Sequence, residues 1–518
     1  MSDHFAQVKD GRGALIACCA LTATAAFLWW IAGSRFLVIP DEGIYLDGAL
    51  RMIRGEAPYR DFFVLTGPGT YWIQYSSLRF FGIQIWATRI PVIVDVALLA
   101  TFIYWLTARL SGRVTALAAA VLYLALQANY FTALQANHRW DSSMLALASL
   151  VLVFEALSKP APLTLFLAGF LSAAAAWATP TMGIVPATVL LWLAWHGQRR
   201  STLPAFSAGA LLCLAAGALW LFHDGALMAM IEHFRWSAAN YSSANRTPYG
   251  WAVGGYANIL LGAGISESIA RLVVLAFVTL PATLPPICLI GWSMRLRTRR
   301  EKRRGFRQEI VFLTLCSTAL LASTFPRPDL THLMYVAPIF YVLGASLLAS
   351  LVSGRWTLLV LSLLCMAAAS FLSVAVSLRL QEQDMDTIAG KIHGNRADLQ
   401  LVEMVTSRVR PGDTLFVFPY APIFYFLTDA HNPTRYSFLQ PGMFTREDEG
   451  AALESLTACP PRWVLYFNAT PETYLRTWPS SDPRRLRMPS IEDFIRRNYR
   501  MVASADRFEL MEKRPTNQ

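Results

Sequence analysis

Two adjacent carboxylates, Asp41 and Glu42, follow directly on the first long apolar segment, in the sequence IPDEGIY. A carboxylate held beside a hydroxyl group can remove its proton as a general base. Asp is also favoured at the N-cap of a helix, where its side chain accepts a backbone hydrogen bond. Helical spacing follows in Tyr45, Ala49, Met52 and Ile53, with Gly55 as the stop. The pattern predicts an amphipathic helix in the membrane interface, with Asp41 as either a catalytic base or a cap.

Two cationic clusters are candidates for binding a phosphate group. Arg327 and His332 belong to the segment FPRPDLTH, and His138 and Arg139 belong to the segment NHRW. Arginine can bind phosphate through two parallel N–H donors. In the first segment the alternative is a turn in which Asp329 pairs with Arg327 and His332 caps a helix. In the second segment the alternative is that Trp140 is an ordinary aromatic residue of the membrane interface and that the segment has no role in binding.

Other acidic residues give weaker signals. Asp95 lies well inside an apolar segment, where a carboxylate is a candidate functional group, but a lone one more often hydrogen-bonds a neighbouring helix. Ion-coupled transporters usually carry several charged or broken positions at mid-membrane, whereas here the charges gather at one face. The outer carboxylates Asp47, Asp61 and Asp141 could bind a divalent cation. They form no evident cluster, so we expect no obligatory metal and no other cofactor.

The composition indicates which class of protein positions these groups. Of 518 residues, 55% are hydrophobic and only 15% are charged, whereas soluble domains carry about 25% charged residues. The chain has a net charge of +11, but its densest basic run, Arg295–Arg307, lies between two apolar runs and is typical of a cytoplasmic loop. We therefore expect a membrane protein that binds no nucleic acid. Eleven apolar runs approach the length of a membrane span: 14–34, 84–108, 114–128, 142–157, 162–178, 180–197, 203–223, 268–294, 309–325, 333–352 and 355–378.

The basic residues of the short loops predict the orientation of the chain. If the N-terminus is cytoplasmic, every inside loop carries basic residues. The loops 35–83 and 224–267 then face outside, as does the region after the last span. In that region short strands alternate with helices, which predicts a small α/β domain. We therefore divide the chain into an all-α transmembrane domain, residues 1–378, and an extracytoplasmic domain, residues 379–518.

Three segments resemble a known family. The Asp-Glu pair followed by GEAPYRDF and TGPGTYW, the segment RPDLTHLMYVAP, and the segment PGDTLFVFPYAPIFYFLTDAHNPTRY are similar to the GT-C membrane glycosyltransferases. The similarity is to the branch of the protein O-mannosyltransferases and the lipid A aminoarabinose transferases, in its bacterial group related to glycosyltransferase family 39. The resemblance covers most of the chain and implies a sugar donor carried on a polyprenyl phosphate.

The resemblance also implies roles for individual residues. Asp41 would be the catalytic base, and Glu42 would line the same pocket, as we expect of Tyr45, Asp61 and Tyr71. The phosphate contacts would come from Arg327 and His332, with His138 beside them. Relatives carry a basic residue before Pro-Pro in the first loop, where this chain has Gly67-Pro68-Gly69; Arg60 and Arg139 are the candidates to replace it. Glu42 or Asp61 could serve as a second carboxylate, so both inverting and retaining transfer stay open.

The leading hypothesis is a multi-pass glycosyltransferase of the bacterial cytoplasmic membrane. It would move a hexose or pentose from a polyprenyl-phosphate donor to a glycan, lipid or protein acceptor on the periplasmic face. The alternative is a transporter or scaffold for polyprenyl-linked lipids that has no catalytic activity. Asp41 separates the two, because a transporter needs no carboxylate beside the anomeric carbon.

Overall fold

The structure, a computed structural model, describes residues 11–39, 41–127, 134–196, 202–251, 275–298, 304–352, 354–380 and 382–515. Helices dominate the first three quarters of the chain. They are α1 (Gly11–Gly33), α2 (Glu42–Ile53), α3 (Gly69–Phe81), α4 (Ile85–Ser111), α5 (Arg113–Gln127), α6 (His138–Ser158), α7 (Pro162–Ala178), α8 (Ile184–His196), α9 (Thr202–His223), α10 (Leu227–Asn245), α11 (Leu280–Thr298), α12 (Arg304–Ala322), α13 (Leu330–Leu351) and α14 (Gly354–Leu380).

Every one of the eleven apolar runs overlaps a helix, although the run 268–294 begins outside the described residues. Among the described residues, α4, α6, α9 and α13 are both long and apolar enough to cross a membrane by themselves. Parts of α1, α5, α7 and α14 are apolar over shorter lengths. The helical architecture is therefore confirmed, and the number of membrane spans stays a prediction.

The chain breaks between α7 and α8, so that the apolar stretch 162–197 forms two helices. Thr179 is extended, with φ −133° and ψ 106°, and a short 3₁₀ turn follows at Pro180–Gly183. Proline disfavours the helical region for the residue before it and lacks the N–H group that would continue the helix. The break brings the hydroxyl group of Thr179 within 2.7 Å of Nδ1 of His138, at the start of α6.

Glycines permit very close contact between several elements. A Cβ atom on Gly169 of α7 would lie 1.9 Å from the carbonyl oxygen of Phe206, and one on Gly209 of α9 would lie 1.8 Å from that of Phe166. Gly67, just before α3, has the same role, because its Cβ would meet the carbonyl oxygen of Trp177 at 1.8 Å. The Gly-Pro-Gly segment therefore packs the start of α3 directly against the end of α7.

The C-terminal region is an α/β arrangement, as predicted. Strands β3 (Leu415–Phe418) and β4 (Trp463–Phe467) are parallel, and a four-stranded sheet has the order β3-β4-β6-β5. Several elements had no clear sequence signal, among them the hairpin β1–β2. The other elements are β1 (Gln383–Thr387), β2 (Gly390–Gly394), α15 (Arg396–Thr406), α16 (Ile423–Thr428), α17 (Arg446–Ala458), α18 (Pro471–Thr477), α19 (Pro489–Asn498), β5 (Tyr499–Ala505) and β6 (Phe508–Lys513).

Helix α2 exists where the sequence predicted it, but protein covers it on both sides. Its residues from Glu42 to Arg51 are buried, and they share one hydrophobic core with the C-terminal region. Gly43 touches the start of α16, since a Cβ there would lie 1.9 Å from the backbone nitrogen of Ile423. The helix is therefore not an exposed interfacial helix. It joins the membrane helices to the C-terminal region.

Candidate active site

Asp41 is exposed at the start of α2, and its side chain caps nothing. Its Oδ1 atom instead accepts a hydrogen bond of 2.7 Å from the hydroxyl group of Tyr420, which belongs to the C-terminal region. Burial raises the pKa of Tyr420 well above its usual value, and the neighbouring Asp41 carboxylate raises it further. The hydroxyl group therefore keeps its proton and is the donor. The helix-cap alternative for Asp41 is thus not what the structure shows.

Glu42 points elsewhere, which corrects the expectation that it lines the same pocket. Its side chain is fully buried and forms an ion pair with Arg89 of α4. One carboxylate oxygen also accepts a hydrogen bond of 3.1 Å from the backbone N–H of Ala136, and Arg89 donates to the carbonyl oxygen of Phe36. A carboxylate held in this way positions α2 against α4 and is not available to a substrate.

Arg139, in the first turn of α6, is a buried cation with no carboxylate in hydrogen-bonding contact among the described residues. Its side chain is 4% exposed, and it donates one hydrogen bond of 3.0 Å to the carbonyl oxygen of Ser323. Its Nε–H group is buried and has no acceptor in the described part of the chain. A buried guanidinium normally requires an anion to compensate its charge. The position is therefore suited to a negatively charged ligand.

Arg327 and His332 converge on Asp329, the N-cap of α13. Arg327 donates from Nε at 2.7 Å, and Nδ1 of His332 lies 2.7 Å from the other carboxylate oxygen. Burial acts to raise the pKa of Asp329, but His332 and Arg327 outweigh it and hold that pKa well below its usual value. The turn expected from the sequence is present, with Asp329 and not His332 as the cap. The guanidinium also reaches Asn245 and the carbonyl oxygen of Thr477.

These groups lie close enough to interact electrostatically, and the space that they share is the candidate cleft. Asp41 interacts with Arg327, and Arg139 interacts with Asp329 and His138. Tyrosines line the space between them: Tyr45, Tyr241, Tyr335 and Tyr420 each interact with Asp41. The sequence did not single out Tyr241, Tyr335 or Tyr420. Tyr335 and Tyr420 lie in segments that resemble the family, but nothing in the sequence shows that their side chains meet Asp41.

Three predicted residues lie outside this cleft. Arg60 is exposed and is held by the Asp61 carboxylate at 2.7 Å and by the carbonyl oxygen of Asp224 at 2.6 Å. Tyr71 lies behind α2, packed against Tyr45 at a ring distance of 5.3 Å and against Gly48. Of the two candidates to replace the missing basic residue, Arg139 is in the cleft and Arg60 is not.

Asp95 is not isolated in the membrane region. It is buried and hydrogen-bonded to Asp141 of α6, which also accepts a hydrogen bond from the hydroxyl group of Thr70. This contact joins α3, α4 and α6, so Asp95 has the helix-joining role that was its alternative. Among the described residues, no group of three or more His, Cys, Asp or Glu side chains could hold a metal ion. Metal independence stays a prediction.

Comparison with solved structures places this architecture among known folds. ArnT from Cupriavidus metallidurans bound to undecaprenyl phosphate matches with a TM-score of 0.59 at 13% identity, over 98% of this chain and 99% of that one. The apo state of the same protein matches with a TM-score of 0.55 at 13% identity, over 96% and 98%. The chain has the GT-C fold.

A third GT-C structure is more distant. The archaeal oligosaccharyltransferase AglB from Archaeoglobus fulgidus, in complex with an inhibitory peptide and a dolichol-phosphate, matches with a TM-score of 0.51 at 12% identity. The match covers 96% of this chain and 75% of AglB. The expected fold, a helical GT-C bundle followed by a small α/β region, is thus confirmed.

The sequence itself gives one family match. The model of the dolichyl-phosphate-mannose-protein mannosyltransferases matches residues 66–223, from the loop before α3 to the end of α9. No curated protein matches the sequence. The matched part contains Arg139 but neither Asp41 nor Arg327. The GT-C likeness of those two residues therefore depends on the fold.

Proposed function

We propose that this protein is a GT-C glycosyltransferase that moves a sugar from a polyprenyl-phosphate donor to an acceptor hydroxyl group. The site would lie at the outer face of a bacterial cytoplasmic membrane, with the C-terminal region in the periplasm. Support comes from the fold, from the mannosyltransferase family match, and from ArnT and AglB, whose structures hold undecaprenyl phosphate and dolichol-phosphate respectively.

The proposal depends chiefly on one observation, the buried guanidinium group of Arg139, which has no hydrogen-bonded carboxylate among the described residues. A buried guanidinium that hydrogen-bonds no carboxylate needs an anion, and the phosphate of a lipid carrier is an anion that stays at the membrane surface. Arg327 lies on the same cleft. Burial acts to lower its pKa, but the Asp329 carboxylate outweighs burial, so the pKa of Arg327 is raised. It stays charged at physiological pH. Two such cations would stabilise the charge that develops on the phosphate as it leaves.

Asp41 would act at the other end of the reaction. In a direct displacement, the acceptor oxygen attacks the anomeric carbon, the bond from that carbon to the phosphate oxygen breaks, and the polyprenyl phosphate leaves with the electron pair. The proton of the acceptor hydroxyl passes to Asp41. The other candidate carboxylates are engaged: Glu42 by Arg89, Asp61 by Arg60, and Asp329 by Arg327 and His332. We therefore propose a single displacement with inversion.

The test of this function is a transfer assay with the purified protein in lipid nanodiscs. A panel of polyprenyl-phosphate hexoses and pentoses would be supplied with an envelope extract as acceptor. We expect transfer from at least one donor, inhibition by the free polyprenyl phosphate, and donor binding weakened about tenfold or more in Arg139→Gln, because a charge-assisted hydrogen bond is lost. Arg60→Gln, at an exposed arginine outside the cleft, is the matched control. Carrier binding without any transfer would instead favour the transporter or scaffold.

A further inference from the structure

A second cavity lies within the C-terminal region, apart from the cleft that holds Asp41. It has a volume of about 280 Å³ and opens at the carboxyl ends of the parallel strands β3 and β4. In α/β sheets, ligands bind outside the carboxyl ends of parallel strands, where the connecting segments leave a crevice. All of its lining residues lie between 418 and 496.

The walls of this cavity combine aromatic side chains with buried apolar ones. The rings of Phe418 and Tyr466 are stacked, 6.0 Å apart with an angle of 6° between their planes, and Tyr466 is the partly exposed one of the two. Leu486 and Met488 are buried beneath the opening. The C–H face of a sugar ring packs well on such an aromatic surface, and most small-molecule sites pair apolar walls with a few polar groups.

The polar groups at the rim are of mixed character. Arg487 donates to Glu492 from Nε at 3.2 Å, and Asn468 adds an amide group beside them. A second arginine, Arg496, also lines the cavity and interacts with the hydroxyl group of Tyr466. Tyr474 is 8% exposed and lines the cavity, and its hydroxyl group has no hydrogen-bond partner among the described residues. A sugar hydroxyl both donates and accepts, and arginine–carboxylate, amide and phenol groups together offer it both kinds of partner.

The cavity is connected to Asp41 by a short path. Tyr420, two residues after Phe418, donates its hydroxyl hydrogen to Asp41 at 2.7 Å. Its ring contacts Trp478 at 5.7 Å, and Trp478 stacks on Tyr474 of the cavity at 6.3 Å. The donor must keep its lipid tail in the bilayer and its phosphate near Arg139. A pocket formed wholly by the C-terminal region is therefore better placed for the other substrate.

We propose that this cavity binds a sugar ring of the acceptor, so that the acceptor substrate is a saccharide or a glycolipid. The proposal rests on the proposed transferase function and narrows it. A sugar bound here would direct one of its hydroxyl groups, or that of the next ring, towards Asp41. The C-terminal region would then select the acceptor.

The experiment uses the full chain in nanodiscs, without donor, and measures the binding of soluble methyl glycosides by ligand-observed NMR. Ala469→Phe fills the cavity, and Tyr474→Phe removes one hydroxyl group from it. Tyr499→Phe is the matched control, because its hydroxyl group is buried in the same region but donates to the carbonyl oxygen of Pro461. We expect at least tenfold weaker glycoside binding in Ala469→Phe, several-fold weaker binding in Tyr474→Phe, and wild-type binding in Tyr499→Phe.

Steady-state kinetics of the transfer reaction then show which of the two substrates the cavity binds. The proposal expects the cavity variants to raise KM for the acceptor while KM for the donor stays constant. It is overturned if wild type binds no glycoside, if folded cavity variants bind glycosides as wild type does, or if only the donor KM changes. If glycoside binding depends on the cavity but wild type transfers no sugar from any donor, the saccharide pocket stands and the transferase assignment fails.

Discussion

Arg89 and Arg139 are both buried, but they have different hydrogen-bond partners, and the difference indicates a structural role for the first and a binding role for the second. Arg89 meets the carboxylate of Glu42, and both side chains are essentially inaccessible. Within the described part of the chain, Arg139 donates a side-chain hydrogen bond only to a backbone carbonyl oxygen, and Asp329 acts on it without a hydrogen bond. Burying a charge is costly unless a partner compensates it. Arg89 therefore has its partner within the fold, while Arg139 is arranged for a partner that arrives from outside.

The Arg89–Glu42 pair predicts a stability effect. Arg89→Met leaves the Glu42 carboxylate buried and uncompensated, and we expect the folded state to lose about 3–5 kcal/mol. The double variant Arg89→Met/Glu42→Leu removes both charges and should recover most of that loss. Thermal unfolding in detergent measures the difference. Equal unfolding temperatures for the single and double variants would contradict the assignment.

Tyr420 predicts a kinetic effect. Its hydroxyl group holds one oxygen of Asp41 and leaves the other for the acceptor. A hydrogen bond to a charged group is worth about 1.5–3 kcal/mol, so Tyr420→Phe should lower kcat about tenfold to a hundredfold while donor binding stays unchanged. Tyr425→Phe is the control, because that hydroxyl group accepts from the backbone N–H of Val417 and only supports the fold. Equal changes in kcat for both variants would refute a positioning role for Tyr420.

At this scale the sequence predicted the candidate residues that lie in or next to motifs. Asp41, Arg139 and Arg327 could be found because a carboxylate or a cation beside a long apolar run is unusual. Tyr420 and Tyr241 could not, because their proximity to Asp41 depends on how distant segments fold together. Glu42 was misplaced for a related reason: adjacent residues on a helix point in different directions, and its partner, Arg89, is 47 positions away.

The close contact between helices α7 and α9 predicts that enlarging a glycine at this contact lowers the stability of the fold. A Cβ on Gly209 would overlap the carbonyl oxygen of Phe166, so Gly209→Ala must separate the two helices and should lower the unfolding temperature markedly. Gly305, in α12, has open space around its Cβ position. Gly305→Ala should therefore be neutral or slightly stabilising, since alanine favours helices over glycine by about 1 kcal/mol. A Gly209→Ala variant as stable as Gly305→Ala would show that the helices do not pack this closely.

Helices and strands were largely predictable, because apolar run length and spacing determine them locally. The extent of the apolar runs anticipated the membrane helices, and the short apolar blocks after the last run anticipated strands in the C-terminal region. The environment of α2 was not predictable in this way. Its apolar face suggested a lipid interface, but the polar face is also covered, since Asp47 accepts a hydrogen bond from Ser437 and Arg51 donates to the carbonyl oxygen of Thr434.

The proposed reaction requires one orientation of the protein in the membrane, in which the C-terminal region lies on the outer side. Cys459 is an exposed cysteine of that region. In intact cells with a permeabilised outer membrane, a membrane-impermeant maleimide should label Cys459 and should not label Lys302→Cys, placed in the basic loop of a Cys459→Ser background. Labelling of the basic loop from outside would invert the topology and would place the cleft on the wrong side for a periplasmic acceptor.

The central claim, that Asp41 takes the proton of the acceptor, is tested most directly by Asp41→Asn in a single-turnover transfer assay. This substitution keeps the size of the side chain and removes its basicity. We predict that donor binding is retained, because the proposed phosphate contacts are Arg139 and Arg327, and that the transfer rate falls by a factor of about 100 to 10,000, the usual contribution of a general base. Transfer at the wild-type rate by a folded Asp41→Asn protein would contradict the account.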